Sequence, residues 1–234
     1  MYKIAVFVSG RGSNLKEIHK HIETEKLRAE ISVVVSNKKN CGAIDFAIDK
    51  NIPTFIIENE NSYNELLKYL VKLNIHLIVL AGFLKKIPKN FIEIYKNKII
   101  NIHPALLPKY GGKGMYGMNV HKAVFNAKEN ISGATVHYVN EYYDEGAIIE
   151  QRKIDISNVK SPEEISRKVL KIEHELLPDI IKKFIDDYFK KTEIILNGNL
   201  TDTNKLVEVS DNLFELNGSE NNFAEKKSHN YFTN

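Results

Sequence analysis

The sequence predicts an α/β protein built on a mostly parallel, twisted β-sheet with helices on both faces. Three observations carry this expectation. Apolar runs of strand length alternate with helix-length segments, so consecutive strands are joined by crossovers, not hairpins. The first run, Tyr2 to Val8, is apolar without alternation, as a strand buried on both faces requires. Helix-start signals then stand in the connections, Ser62-Tyr-Asn-Glu65 and Ser161-Pro-Glu-Glu164 being the clearest.

In chain order, Tyr2 to Val8 is the first strand, Asn14 to Thr24 a helix and Ile31 to Ser36 the second strand. Ala43 to Lys50 is helical, Thr54 to Ile57 a short strand, and Ser62 to Glu65 a capping box for a helix running to Leu73. Leu77 to Ala81 forms the fourth strand, Lys89 to Tyr95 a short helix, and Ile99 to Ile102 the fifth strand. A helix over Asn119 to Ala127 and strands over Ile131 to Val139 and Ala147 to Ile154 follow. The last long helix starts at Ser161, carries the apolar stripe Ile165, Val169, Ile172 and Leu176, and ends near Phe189, with Pro178 as a kink or a restart. Glu193 to Leu196 with Asn197-Gly198 reads as a small edge hairpin, and from Gly218 onward the polar composition predicts loose order. The expected division is a catalytic domain over 1–190 and an extension over 191–234.

At 234 residues the chain has the mass for one domain with a sizeable core. A net charge of +3 from interspersed lysines gives no reason to invoke nucleic acid, while leaving an anionic substrate welcome. The single cysteine, Cys41, cannot close an internal disulfide and fits a reducing compartment, where it serves packing. No apolar run approaches membrane-spanning length, and Met1-Tyr-Lys passes directly into a strand. The expectation is a cytoplasmic protein.

Chemistry concentrates where strands end. Ser9-Gly-Arg-Gly-Ser-Asn14 follows the first strand and opens a helix, so its backbone amides and the helix dipole suit a phosphate. A dinucleotide is disfavoured, because Leu15 replaces the third glycine and the second strand ends in Ser36, without an acid for a ribose. Asn101-Ile-His103-Pro sits at the end of the fifth strand. An amide and an imidazole two residues apart lean the same way there, a pairing suited to an oxyanion and a proton. Leu80 to Ile87 reads from composition as strand-to-helix core. The glycines between Tyr110 and Asn119 suggest either a mobile lid beside His103 or a plain linker. Asp144 reads as a turn carboxylate, Glu173 as a surface charge, His121 as structural and His137 as a satisfied core histidine. No metal-ligand spacing is present.

The run Asn101-Ile-His-Pro-Ala-Leu-Leu-Pro-Lys-Tyr110, then Gly133-Ala-Thr-Val-His137-Tyr-Val and Asp144-Glu-Gly146, resembles the folate-dependent formyltransferases from the first strand to about Phe189. The resemblance implies the formyltransferase fold with a Rossmann-like N-terminal half. It also implies transfer of a formyl group from 10-formyltetrahydrofolate, as cosubstrate, to the amine of glycinamide ribonucleotide in purine biosynthesis. By it, Asn101, His103 and Asp144 form the catalytic trio, with Asp144 close enough to His103 to raise its pKa. Gly12, Ser13 and Asn14 hold the substrate phosphate, joined by Arg11 on grounds of charge, and Glu173 contacts the ribonucleotide. Leu84, Lys85, Lys86 and Ile87 line the folate site with Asn140, Glu141, Tyr142 and Tyr143, and His137 is an orienting residue. An arginine that some relatives place before the third helix is missing from Asn59 to Ser62.

The partners implied are small molecules, with no nucleic acid, membrane or metal, and a monomer or homodimer. A sister formyltransferase, a formyltetrahydrofolate hydrolase and a non-catalytic phosphate- or folate-binding module are the alternatives. The first two are disfavoured because the chain shows neither an extra C-terminal domain for tRNA nor an N-terminal regulatory domain.

Overall fold

A computed structural model describes residues 1–196 of the chain. The elements run β1 (Tyr2–Val8), α1 (Ser13–Glu23), β2 (Ala29–Ser36), α2 (Gly42–Asp49), β3 (Thr54–Ile56), α3 (Asn61–Lys72) and β4 (Leu77–Leu80). They continue with α4 (Lys89–Ile94), β5 (Ile99–His103), α5 (Met118–Asn126), β6 (Ile131–Tyr138), β7 (Ile148–Asp155) and α6 (Pro162–Leu196). Two compact units are distinguished, Met1–Asp186 and a second beginning at Asp187. The expectations for Asn197-Gly198 and for the chain beyond Gly218 lie outside the described residues.

One seven-stranded sheet has the order β3-β2-β1-β4-β5-β6-β7. Pairings among the first five strands are parallel, and those of β5 with β6 and of β6 with β7 are antiparallel. The mostly parallel sheet expected from the helical crossovers is thus present. The interior strands are uninterrupted apolar runs because both faces are covered. On one face Ala5, Phe7, Val33, Val35, Ile78 and Leu80 pack with Leu66 and Leu70 of α3 and Phe91 of α4. Their alternates in β1, Ile4, Val6 and Val8, are equally buried on the other face. Strand order reverses at β1, with β2 on one side and β4 on the other, so the ends of β1 and β4 flank the topological switch point.

Three local expectations are corrected. The first is the start of α3. Helix α3 begins at Asn61, and Ser62 lies inside it, its hydroxyl accepting the amides of Glu58 and Asn59 at 3.3 Å each. Asn59, one residue before the cap position Glu60, accepts the Ser62 amide on Oδ1 at 3.2 Å, so the side chain that holds the first turn stands three residues ahead of Ser62. Asn59→Ala is expected to lower the unfolding free energy by about 1 kcal/mol, read as a shifted urea midpoint at constant m.

The other two corrections concern α6. It runs unbroken through Pro178 to Leu196 instead of ending near Phe189, and Glu193 to Leu196 are helical, not a hairpin strand. Nothing after Pro178 breaks the helix, and near its end Thr192 donates its hydroxyl back to the Tyr188 carbonyl at 2.9 Å. At the other end the expected cap forms, with Ser161 Oγ accepting the Glu164 amide at 3.3 Å. The Glu164 carboxylate takes the Lys160 amide at 2.9 Å.

Candidate active site

Parallel strands β1, β4 and β5 deliver the Ser9–Asn14 turn, the Gly82–Ile87 segment and the Asn101–Tyr110 segment to one edge of the sheet. Antiparallel register then sets Asn101 opposite His137 and His103 opposite Thr135. The loop after β6 folds back over that edge. Gly146 permits the return, since a Cβ there would lie 1.7 Å from the Tyr138 carbonyl oxygen.

The result is a compact polar cluster. Asn101 Nδ2 lies 3.0 Å from His137 Nε2 and 3.4 Å from Asp144 Oδ1. His103 Nδ1 is 3.5 Å from Asp144 Oδ2, and His137 Nε2 is 3.6 Å from Asp144 Oδ1. The Gly112 amide donates to Asp144 Oδ2 at 3.0 Å, bringing the glycine loop onto the carboxylate. His103 Nε2 meets the Tyr110 carbonyl at 2.8 Å, which fixes a proton on that nitrogen and leaves Nδ1 turned to Asp144. His137 Nδ1 similarly meets the Tyr138 carbonyl at 2.8 Å, which holds the ring with Nε2 facing both Asn101 and Asp144. Behind the cluster, buried Thr135 donates to the Ala105 carbonyl at 2.6 Å and accepts the Leu107 amide at 3.1 Å. Gln151 donates to Thr135 Oγ1 and to the Leu107 carbonyl at 2.9 Å each, so the segment after His103 is pinned by two strands.

Proximity of Asp144 to His103 was expected to raise the imidazole pKa, and here the structure corrects the expectation. His103 is 3% exposed, and burial lowers its pKa below the ordinary value, outweighing the Asp144 charge and the Tyr110 carbonyl, while nearby His137 opposes protonation too. The ring is therefore neutral near pH 7. Burial pushes the Asp144 carboxyl up, but the His137 and His103 rings and the Gly112 amide outweigh it and hold it below the usual carboxylate range. His121 of α5 is buried, and burial, reinforced by His103, lowers its pKa to about 4.

The first turn is built for close approach. Gly12 adopts φ 73°, and a Cβ there would lie 2.7 Å from Ala43 Cβ, so the turn presses against α2 while capping α1. Asn14 is buried, donates Nδ2 to Glu173 Oε2 at 2.7 Å, and keeps a buried Oδ1 without a partner. Glu173, expected from composition at the surface, is 9% exposed, and burial pushes its carboxyl up to about 7 against the Asn14 hydrogen bond. Arg11 is exposed and Ser13 half-buried.

Of the folate-site expectations, Leu84, Lys85, Lys86, Glu141, Tyr142 and Tyr143 are exposed, Asn140 is half-buried, and Ile87 sits in the core. Asn140 Oδ1 accepts the Tyr142 amide at 2.9 Å. Glu141 pairs with Lys89 at 3.6 Å, and Tyr63 donates to the Lys86 carbonyl at 3.4 Å while its ionisation is opposed by Tyr143 as well as by burial. The two segments are therefore neighbours. Tyr63, Thr135, Gln151 and the backbone groups of Tyr110 and Gly112 were missed by the sequence reading, and only cross-strand register could have suggested Thr135. Among the described residues, no group of three or more His, Cys, Asp or Glu is placed to hold a metal, and no helix is long and apolar enough to cross a membrane.

A family model described as Formyl transferase matches residues 2–181. The chain belongs to the formyl transferase family. Phosphoribosylglycinamide formyltransferase of Arabidopsis thaliana, described as chloroplastic, is 38% identical over 198 residues, 82% of this chain and 68% of that protein. The protein of that name from Haemophilus influenzae is 37% identical over 192 residues, 80% of this chain and 88% of its own. The solved phosphoribosylglycinamide formyltransferase of Coxiella burnetii superposes with a TM-score of 0.73 at 35% identity, covering 80% of this chain and 88% of that one.

Proposed function

We propose that this formyl transferase moves the formyl group of 10-formyltetrahydrofolate to the amine of glycinamide ribonucleotide, a step of purine biosynthesis. The observation that carries the reading is the convergence of Asn101, His103 and Asp144 at the end of β5, with distances of 3.4 and 3.5 Å from Asp144 to the other two. The names and coverage of the relatives support the choice of acceptor.

The amine attacks the formyl carbon, and the carbonyl oxygen becomes an oxyanion. Asn101 can donate to it by exchanging the 3.4 Å bond to Asp144, the weakest bond its amide makes. Negative charge arriving beside His103 offsets the burial that keeps the ring neutral, so Nδ1, 3.5 Å from Asp144 Oδ2, takes up the amine proton that Asp144 receives, and the charged imidazole stabilises the intermediate until that proton leaves again. Asp144, ionised at neutral pH, takes the proton from the attacking amine. Passed on to the departing folate nitrogen as the carbon–nitrogen bond breaks, that proton balances the reaction. The Gly12–Asn14 turn, with Arg11 beside it, holds the phosphate. Glu173 takes the ribonucleotide, and the segments 84–87 and 140–143 flank the folate, with His137 orienting Asn101. The folate is cosubstrate and no step is assigned to a metal. The catalytic unit is taken as residues 1–190.

The test is direct. The purified chain is mixed with 10-formyltetrahydrofolate and glycinamide ribonucleotide, and the folate absorbance is followed. Loss of formyl-folate that requires the ribonucleotide is the expected result. Loss without it would replace this reading by hydrolysis, and binding without loss would leave a ligand-binding module.

A further inference from the structure

One buried hydroxyl spans the switch-point crevice. Ser9, 3% exposed at the end of β1, donates its amide to the Gly82 carbonyl at 3.1 Å and accepts the Leu84 amide on Oγ at 2.9 Å. The Oγ proton goes to Asn37 Oδ1 at 2.6 Å, beyond the end of β2. Three strand ends thus meet on a single side chain. Immediately after it, Gly10 accepts the Ala43 amide at 3.1 Å and Gly12 packs on Ala43, so the rest of the turn is fixed to α2. Ser9 is the only side chain of the Ser9–Asn14 turn hydrogen-bonded, among the described residues, to the Gly82–Ile87 segment.

We infer that Ser9 is a positioning residue that fixes the nucleotide turn relative to the folate segment, so that the two substrates meet at bond-forming distance. The inference rests on the proposed formyl transfer. Its physical content is that the Leu84 amide and the Ser9 backbone move as one body. Loss of the hydroxyl leaves the Leu84 amide without its acceptor and the Gly82–Ile87 segment hydrogen-bonded to the Ser9–Asn14 turn only through the Gly82 carbonyl. A shift of about 1 Å between two reactants costs rate steeply, on the order of a hundredfold, while each substrate still finds its own subsite.

Steady-state kinetics of Ser9→Ala, Ser9→Thr and Asn37→Ala decide it. Ser9→Ala is expected to lower kcat at least tenfold while the KM for each substrate stays within about threefold, a split that general loss of packing does not produce. Ser9→Thr, which restores a hydroxyl, recovers most of the rate. Asn37→Ala, which removes the proton acceptor but leaves the Leu84 bond, lowers kcat by about threefold and covers the case in which Ser9→Ala fails to fold. Amide exchange at Leu84 rises in Ser9→Ala. An unchanged kcat in Ser9→Ala beside an active wild type, or a uniform rise of both KM values with kcat intact, overturns this inference alone. A wild type without ribonucleotide-dependent transfer overturns the functional reading, and this one with it.

Discussion

His103→Ala is expected to reduce kcat by about three orders of magnitude, with KM for both substrates changed less than about threefold. The ring is 3% exposed and has its Nε2 on the Tyr110 carbonyl at 2.8 Å, so the native site holds it in one orientation with Nδ1 toward Asp144. An interaction made only as charge develops lowers kcat and kcat/KM together when removed, which separates it from simple binding. A thermal melt accompanies the kinetics, because deleting a buried ring also leaves a cavity. A folded variant that retains a tenth of the wild-type kcat would remove His103 from the chemistry.

Glu173→Gln is expected to make the protein more stable and a poorer enzyme. Burial pushes the Glu173 carboxyl up to about 7 from an ordinary 4.5, so between those values the folded chain holds a proton that the unfolded chain has lost. Wild-type stability therefore falls as pH rises through that window, by about 3 kcal/mol in all, and stays reduced above it. Glutamine never ionises and still offers an acceptor to Asn14 Nδ2, which donates to Glu173 Oε2 at 2.7 Å. The variant should melt about 5–10 °C higher than wild type at pH 8 and within about 2 °C of it at pH 4.5. Under the proposed role, loss of the carboxylate, ionised at pH 8, raises the ribonucleotide KM at that pH at least tenfold while leaving the folate KM in place. Equal melting temperatures at pH 8 would show that Glu173 is not held protonated, and an unchanged ribonucleotide KM would take it out of the substrate site.

Much of this molecule could be read from the chain because buried parallel strands advertise themselves. Runs such as Ile4–Val8 and Leu77–Leu80 are apolar on both faces, and their carboxyl ends mark the crevice in advance. The motif around Asn101 and His103 pointed to the β5 edge for the same reason. What the chain hid depends on contacts distant in sequence. Neutral His103 results from burial at a junction with β6, and burial cannot be read from a motif. Glu173, polar on a helix with an apolar stripe, looked solvated until α6 was seen against Asn14, 159 residues earlier. The α3 cap was misread for a local reason: Asn59 and Ser62 are both competent caps, and the start of the helix chose between them.

Two of the groups that organise the cluster belong to no side chain. The Tyr110 carbonyl and the Gly112 amide are main-chain atoms that every residue type except, for the amide, proline offers, held in place by backbone with φ of 61° and 93°. An alanine scan would pass over both and credit their influence to neighbours. Replacing single amides by esters, which silences one donor or weakens one acceptor without touching a side chain, is the chemistry that would bring them into view.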